Sequence, residues 1–140
     1  MRYWDSSALL PLLVHEDVSH RADELLGDDP SIVTWWGSAV ECASALARRE
    51  REELLAPDDA TAALARLRTA SAAWTEVPAT PIVREQAMRL VRVHPIRAGD
   101  AMQLAAAIVA ADFQSSLLEI VTFDRRLAGA AEREGFTVLR

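Results

Sequence analysis

The sequence predicts an α/β fold, namely a three-layer sandwich whose central, mostly parallel sheet is flanked by helices. Two observations lead to this prediction. Short strand-like segments alternate along the chain with longer helical ones, and such alternation is typical of a parallel sheet that helices cover on both faces. In addition, no internal repeat, low-complexity tract or linker interrupts the 140 residues. A chain of this length can bury a core of its own, so residues 1–140 are expected to form a single domain.

Five short segments are predicted strands, at about residues 2–5, 31–34, 75–78, 117–123 and 136–139. Seven longer segments are predicted helices, at about residues 6–14, 17–27, 36–51, 57–74, 81–93, 99–111 and 124–134. The first helix begins at Ser6 or Ser7 and tolerates Pro11 because this residue lies near its first turn. The second helix ends at the breaker sequence GDDP, and the third ends in the charged run ARREREE, as the usual signals of helix ends predict.

Proline and glycine set most boundaries in the second half of the chain. The sequence PDD opens the fourth helix, and TEVP after it is a short extended segment. Pro81 lies at the start of the fifth helix, and HPIR forms a loop before an alanine-rich sixth helix that is expected to be buried. The apolar run LLEIVTF is the fourth strand, and Gly135 ends the seventh helix just before the last strand.

The basic residues exclude two classes of enzyme, because all 15 of them are arginine. Without lysine there can be no P-loop, which needs a Gly-Lys-Ser/Thr sequence, and no Schiff-base chemistry, which needs a lysine amine. The net charge of -6 argues against broad, nonspecific nucleic-acid binding, but it leaves room for a local positive groove or for bound cations.

The chain is expected to work in the cytoplasm. Cys42 is the only cysteine, so no internal disulfide can form and a reducing compartment fits best. The N-terminal segment lacks the basic-then-apolar pattern of a signal peptide, and no uninterrupted apolar run reaches transmembrane length. No membrane partner is therefore expected.

Four acidic residues differ from the rest because they stand alone in apolar sequence. Most of the 21 acids lie in mixed-charge runs such as HEDVSHRADE, which are typical of solvated helix faces. Asp5, by contrast, lies within YWDSSALLPLLV, and Glu41 lies within SIVTWWGSAVECASALA. Asp100 lies within AGDAMQLAAAIVAA, and Asp124 closes LLEIVTFD. Each of the four stands where the sequence otherwise favours burial.

Helix capping is the simplest explanation for three of these acids. Asp5, Asp100 and Asp124 lie at predicted helix starts, where aspartate is a favoured cap and the helix dipole attracts negative charge. For any one of them taken alone, capping explains the residue as well as function does. Glu41 lies more than one turn inside its helix, so capping does not explain it, although a single exposed glutamate there is an ordinary feature.

The four acids taken together favour a metal site. Asp5 and Asp124 follow predicted strands, whose carboxyl ends are the edge at which open α/β sheets bind ligands, and Asp100 can point to the same edge. Carboxylates gathered in a partly desolvated site raise one another's pKa and need a counter-charge. An all-oxygen site favours Mg²⁺ or Mn²⁺, whereas the three histidines and Cys42 show no zinc-ligand spacing. Such an ion typically serves the cleavage of phosphate esters by water.

Four blocks of the sequence resemble the PIN-domain ribonucleases, and most closely the VapC toxins of bacterial toxin–antitoxin pairs. The blocks, in chain order, are DSSALL, AVECASAL, IRAGDAMQLAAA and VTFDRRLAGAAEREGFTVL. Together they span the whole chain. The resemblance implies a PIN-like sandwich with a Mg²⁺ or Mn²⁺ site and metal-dependent cleavage of RNA. It also implies a homodimer that is inhibited by a small VapB-like antitoxin, which inserts a C-terminal segment near the active site.

Matched by position, the four acids resemble the acidic quartet of that family. Asp5 and Asp100 correspond to the principal metal ligands. Glu41 and Asp124 correspond to the other two members, which bind the metal directly or through water. The step from Asp100 to Asp124 is longer than in many relatives, and the additional residues are expected in the loop DFQSS.

Several neighbours of the acids are further candidates. The resemblance gives Ser7 the role of capping a helix or holding an acid in place, and it puts Thr122 beside the site in a similar way. Arg97 and Arg125 could hold phosphates through bidentate contacts. Arg126 could do the same, but a solvated surface arginine explains it at least as well.

Other residues have an ordinary structural explanation beside the functional one. Trp35 and Trp36 could stack on bases, but one of them is expected in the core and the other at an interface or at the core rim. Cys42 is interpreted as a packing residue and not as a nucleophile, because no histidine accompanies it. The helical stretch 57–74 could be a dimer or antitoxin surface, and plain core packing explains it equally well.

Three other functions are less consistent with the sequence. A haloacid-dehalogenase-like phosphatase with Asp5 as nucleophile expects a second aspartate where this chain has Ser7, and it expects a lysine, which is absent. A receiver domain fails for the same missing lysine. The alternative that remains is a catalytically idle PIN fold that binds RNA or protein. The four intact acids argue against it, and a metal titration separates the two hypotheses.

Overall fold

The computed structural model describes residues 1–140 and is built around a sheet of five strands. The strands are β1 (Arg2–Trp4), β2 (Ile32–Trp35), β3 (Thr75–Val77), β4 (Glu119–Val121) and β5 (Thr137–Leu139). All neighbouring strands are parallel, and their order is β3-β2-β1-β4-β5. β1 is central, and Tyr3 is in register with Val33 on one side and with Ile120 on the other. The prediction of a parallel sheet is confirmed.

Seven α-helices flank the sheet. They are α1 (Ser6–Leu9), α2 (Ser19–Asp28), α3 (Ser38–Arg51), α4 (Pro57–Ser71), α5 (Pro81–Val93), α6 (Ala98–Ala110) and α7 (Arg125–Arg133). Two short 3₁₀ turns, Leu10–Leu12 and Ser115–Leu117, complete the regular structure. None of the helices has both the length and the apolar character that a membrane crossing requires.

Successive side chains of a strand point to opposite faces of the sheet, and here they build two separate cores. On one face, Tyr3 and Ile120 pack in a core that includes residues of α5, α6 and α7. On the other face, Trp4 and Val121 pack in a core that includes residues of α1, α2, α3 and α4. The sheet is therefore covered on both sides, and the predicted three-layer sandwich is confirmed.

The first predicted helix is shorter than the sequence suggests. The α-helix ends at Leu9, and a 3₁₀ turn continues it only to residue 12 instead of 14. Pro11 explains the change, because it has no N–H to donate to the carbonyl four residues earlier. The next helix begins at Ser19, whose hydroxyl accepts the N–H of Glu16 (2.9 Å) and donates to the carbonyl oxygen of Pro11 (2.8 Å). These bonds fix the start of α2 against the end of the 3₁₀ turn.

The strand order creates a switch point beside β1. The chain builds β1, β2 and β3 outwards on one side and then crosses back to add β4 and β5 on the other. The carboxyl ends of β1 and β4 therefore lie side by side, and in open α/β sheets this is where a ligand crevice forms. Asp5 follows β1 directly, and its N–H donates to the carbonyl oxygen of Val121, the last residue of β4 (3.2 Å).

Candidate functional site

A cleft of about 210 Å³ opens at this edge of the sheet, and all four acids singled out in the sequence line it. Four segments meet there, namely the ends of β1 and β4 and the N-terminal parts of α3 and α6. We call it the acid cleft. Its ten lining residues are Asp5, Ser6, Ser7, Leu10, Glu41, Cys42, Ala45, Arg48, Asp100 and Asp124.

Asp5 is the most deeply buried of the four acids, with 4% of its surface exposed. It caps α1, because Oδ2 accepts the backbone N–H of Ser7 (3.1 Å) and Oδ1 accepts the Ser7 hydroxyl (2.8 Å). Burial raises the pKa of Asp5 to about 6, although these hydrogen bonds lower it, and the charge of Glu41 adds a smaller rise. The hydrogen bonds from the protein therefore do not offset the cost of burying the Asp5 charge. Such an imbalance is common at functional sites.

Ser7 connects Asp5 to the loop that follows β4. Its hydroxyl oxygen accepts the N–H groups of Phe123 (2.9 Å) and Asp124 (3.1 Å), and it lies 3.3 Å from the hydroxyl of buried Thr122. Thr122 also accepts the N–H of Asp124 (3.1 Å). Asp124 in turn caps α7, because its Oδ1 accepts a backbone N–H of the first turn at 2.9 Å. Ser7 and Thr122 thus hold the two strand-end aspartates at a fixed distance from each other.

Asp100 reaches the acid cleft from the first turn of α6. Its Oδ2 accepts the backbone N–H of Arg97 (3.1 Å), so this acid also closes a helix start. Asp5, Asp100 and Asp124 therefore all bond to backbone N–H groups at helix starts, which agrees with the helix-capping explanation of the sequence. They are also brought together at one cleft, so capping and a shared site do not exclude each other.

Glu41 is held by a network of buried hydrogen bonds. Its Oε2 accepts the Ser6 hydroxyl (2.6 Å) and the side-chain amide of Gln103 (3.2 Å). Gln103 is 1% exposed, and it also donates to the Ser38 hydroxyl (2.9 Å) and accepts the Tyr3 hydroxyl (2.8 Å). Burial and the nearby carboxylates raise the pKa of Tyr3 well above its usual value, so its hydroxyl stays a donor. The network fixes Glu41 from the core side of the cleft.

The donor set of the acid cleft suits a hard divalent cation. All ion pairs of the protein lie elsewhere, so no arginine neutralises any of the four acids. One oxygen each of Asp100, Asp124 and Glu41 accepts no hydrogen bond from the protein, and carboxylate oxygens are the ligands that Mg²⁺ and Mn²⁺ prefer. No three acidic, histidine or cysteine side chains lie close enough to share an ion as the protein stands. The other oxygens are held by helix-start N–H groups in the three aspartates and by Ser6 and Gln103 in Glu41. The fit therefore rests on the chemistry and burial of these residues.

Cys42 also lines the acid cleft but is no candidate nucleophile. The residue is 1% exposed. Burial in the first place, and the charges of Glu41 and Asp5 in the second, raise its pKa to about 12. A thiol in this environment stays protonated, whereas reactive cysteines have a lowered pKa. This agrees with its interpretation as a packing residue.

Two predicted phosphate-binding arginines do not line the acid cleft, and two residues of the site, Arg48 and Gln103, were not among the predicted ones. Arg97 and Arg125 are exposed at the starts of α6 and α7, and neither lines the acid cleft. Arg48 lines it instead, and its signal in the sequence is its place two helical turns after Glu41, on the same face. The signal of Gln103 is a single amide within the otherwise apolar helix after Asp100.

A second cleft, of about 710 Å³, adjoins the acid cleft, and we call it the outer cleft. The two clefts have five lining residues in common: Ser6, Glu41, Ala45, Arg48 and Asp100. The remaining lining residues of the outer cleft are Trp35, Trp36, Gly37, Val40 and Ser44. Trp35 is buried, whereas Trp36 is 58% exposed, so one tryptophan lies in the core and the other at its rim.

Comparison with known proteins assigns the chain to a family. The model of the PIN domain family matches residues 2–133. The crystal structure of PAE2754 from Pyrobaculum aerophilum is similar in fold, with a TM-score of 0.69 and 22% sequence identity over 99% of this chain and 89% of that one. No curated protein gives a significant sequence match. The chain therefore belongs to the PIN-domain family, whose members are in general nucleases.

Proposed function

We propose that this protein is a metal-dependent endoribonuclease that hydrolyses RNA phosphodiester bonds with Mg²⁺ or Mn²⁺. The observation that carries the proposal is the meeting of Asp5, Glu41, Asp100 and Asp124 at one cleft with no arginine paired to any of them. Unpaired carboxylates at one partly buried site are unfavourable unless a cation joins them. Membership of a nuclease family supports phosphodiester cleavage as the use of that cation.

In this mechanism the protein holds the acids, and no side chain acts as a nucleophile. When bound, a divalent cation neutralises the carboxylates and activates water for attack on phosphorus. Ser7 orients Asp5 through two hydrogen bonds, and Ser6 and Gln103 orient Glu41 through two more. These neutral donors fix the carboxylate oxygens without cancelling their charge.

The test is cleavage of total RNA by the purified protein with Mg²⁺ and with a chelator. We expect cleavage only with the metal, and we expect Asp100→Asn to reduce the cleavage rate by about 100-fold or more. Asparagine keeps an oxygen for the backbone N–H that Asp100 accepts, so the fold should be preserved.

The matched control for Asp100→Asn is Asp59→Asn. Asp59 is also the third residue of its helix, α4, but it is exposed and lies outside the acid cleft. The control variant should cleave RNA at the wild-type rate. Equal loss of activity in both variants, or full activity in Asp100→Asn, would remove the acid cleft from the mechanism.

We also propose that the nuclease acts in the cytoplasm as the toxin of a VapBC-type pair. The four sequence blocks that resemble VapC toxins support this part of the proposal. Induced expression of the wild-type chain should arrest growth, and Asp100→Asn should abolish the arrest. Co-expression of a small protein from a reading frame next to that of the toxin should relieve it. Arrest by the inactive variant would show that toxicity does not come from RNA cleavage.

The VapB-like antitoxin and the homodimer are parts of the same proposal. Several apolar side chains of α5 are exposed, and exposed apolar patches commonly mark interaction surfaces. They are Ile82, Met88, Val91 and Val93. Light scattering on the purified chain should give the mass of a dimer, and a monomer at micromolar concentration would contradict this part.

The alternative function is a PIN fold that binds RNA or protein without cleaving it. A Mg²⁺ titration followed by thermal unfolding separates the two hypotheses. A nuclease should gain stability with the metal and cleave RNA, whereas a binding module should retain RNA binding in the chelator and never cleave.

A further inference from the structure

The outer cleft leads directly into the acid cleft and presents one large aromatic side chain to solvent. Trp36 is 58% exposed, although tryptophan is among the side chains that gain most from burial. Its ring contacts the ring of Trp35 edge-on, with centroids 6.4 Å apart and an interplanar angle of 77°. Trp35 itself is only 7% exposed. The buried indole therefore anchors the exposed one and leaves more than half of it free for a ligand.

Gly37 makes this arrangement possible. A Cβ atom at Gly37 would lie 2.4 Å from Nε1 of Trp35, which is far inside a van der Waals contact. The absence of a side chain lets the Trp35 ring lie across the start of α3. The exposed Trp36 ring is thus supported by a close-packed contact and is held beside the cleft.

Trp36 lies in the turn just before α3, and Arg48 lies in the C-terminal half of the helix, so Glu41 stands between them along the chain. Arg48 is about 10 Å from Glu41 along the helix axis, at 1.5 Å per residue. Both flanking residues line the outer cleft. A chain molecule that crosses the acid cleft along α3 therefore meets an aromatic ring on one side and a guanidinium on the other.

The charges of the outer cleft favour a nucleic-acid occupant over a protein segment. Arg48 is exposed and forms no ion pair, whereas its neighbour Arg49 pairs with Glu16. A free guanidinium next to a cation-binding site suits a phosphate, which it can contact through two N–H groups. The large apolar side chains exposed in the cleft are Trp36 and Val40, which is an area suited to one base and small for a protein anchor.

We propose that Trp36 is a stacking platform for one base of the single-stranded RNA substrate, next to the scissile phosphate, and that Arg48 holds a phosphate on the other side of the acids. This inference rests on the proposed function, because it takes RNA as the substrate of the acid cleft. Stacking on an aromatic ring is tolerant of base identity, since every base has a π-face. Trp36 therefore contributes to the affinity for RNA and to the position of the bound strand, and it selects little for base sequence.

The test uses short single-stranded RNA with a mapped cleavage site and a series of the same RNA with one abasic nucleotide at each position. Binding is followed by fluorescence anisotropy and cleavage by product analysis, both with Mg²⁺. Trp36→Ala should lower kcat/KM by about 5- to 150-fold, mainly through KM. Trp36→Phe keeps an aromatic face and should stay within about 3-fold of wild type.

The abasic series isolates stacking from other effects of the substitution. With the wild-type protein, one abasic position next to the cleavage site should lower kcat/KM by a similar factor, and with Trp36→Ala that position should no longer matter. Leu117→Ala is the matched control, because Leu117 is 73% exposed and lies just before β4, at the opposite edge of the sheet. It should leave all rates unchanged.

Two results would overturn the inference while the proposed function stands. One is cleavage by Trp36→Ala at the wild-type rate with the same dependence on every abasic position. The other is unchanged RNA cleavage by Trp36→Ala together with lost binding of a protein inhibitor, since the outer cleft would then be a protein-docking site. If the wild-type protein cleaves no RNA but binds it with an affinity that depends on Trp36, the nuclease proposal fails and the place next to a scissile phosphate fails with it, while base stacking on Trp36 is supported. Failure to bind RNA at all would refute both.

Discussion

Replacement of Asp5 by asparagine should stabilise the protein in the absence of metal. Burial raises the pKa of Asp5 from 3.8 to about 6 in the folded state. A carboxyl group whose pKa is higher in the folded than in the unfolded state opposes folding as the pH rises above the unfolded value, and the effect is complete above the folded value. A difference of this size corresponds to roughly 3 kcal/mol at neutral pH. The substitution removes that unfavourable contribution.

Part of this gain is lost, because the amide cannot reproduce both hydrogen bonds of the carboxylate. Asp5 accepts two donors from Ser7, the backbone N–H and the hydroxyl, whereas the side chain of asparagine has one oxygen and one NH₂ group. A lost hydrogen bond of this kind costs about 1 kcal/mol. The net stabilisation should therefore be about 1–2 kcal/mol, or roughly 3–8 °C in the melting temperature of a domain of this size.

The assay is thermal unfolding in a chelator, followed by circular dichroism from about pH 3 to about pH 7.5. The difference between Asp5→Asn and wild type should be largest above about pH 6, should shrink as the pH falls from there, and should vanish only toward about pH 3, where Asp5 is neutral in both states. With Mg²⁺ the order should reverse, because the metal stabilises only the protein that binds it. Asp59→Asn, on the exposed first turn of α4, should change stability by no more than about 0.5 kcal/mol.

The reasoning would be refuted by an Asp5→Asn variant that is no more stable than wild type in the chelator at neutral pH. A gain that does not depend on pH would refute it as well. In that case the variant would act through packing, and burial of the Asp5 charge would not be the source of strain in the metal-free site.

Two further predictions concern residues outside the catalytic acids. Arg89 and His94 lower the pKa of Glu134 through hydrogen bonds, so Glu134 stabilises the fold above its usual pKa and loses this effect as the pH falls through its lowered value. Glu134→Gln should cost about 1–2 kcal/mol near pH 7 and much less near pH 3, and urea unfolding at both pH values checks this; an equal cost at both would contradict it. Gly37→Ala puts a methyl group against the Trp35 indole and should cost about 1–3 kcal/mol together with part of the RNA affinity. An unchanged melting temperature would show that the ring moves freely.

The sequence predicts the fold well because the signals involved are local. Proline, glycine and capping residues mark element ends within a few positions, and one or two helices separate each strand from the next. The four acids are visible for the same reason, since a single charge in apolar sequence stands out whatever its partners are. The strand order, however, comes only from the structure, and it is the order that brings Asp5 and Asp124 to one edge.

The parts that the sequence does not predict depend on contacts between distant segments. Gln103 joins Tyr3 to Glu41, and no pattern within its own helix indicates either partner. Arg48 belongs to a charged run that is typical of solvated surface, and the packing of α3 against α1 and α4 turns the face that it shares with Glu41 to the acid cleft. Arg97 and Arg125 are closer to acids in sequence, yet neither lines the cleft, because nearness along a chain says little about the direction of an exposed side chain.

Capping and metal binding are linked in this protein, and the link can be measured with Ser7→Ala. Helix caps hold Asp5, Asp100 and Asp124 through neutral N–H groups, which fix the carboxylates but leave their charge unbalanced. Removal of a charge, as in Asp5→Asn, should therefore raise metal-free stability and lower metal affinity. Ser7→Ala instead removes the hydroxyl that holds Asp5 and accepts two N–H groups of the β4–α7 loop. Ser7→Ala should lower the metal-free stability by about 1–3 kcal/mol, and it should lower the metal affinity as well. Thermal unfolding with and without Mg²⁺ measures the metal-free stability and the metal affinity. Changes of opposite sign in these two quantities for Ser7→Ala would show that Ser7 does not orient the acids.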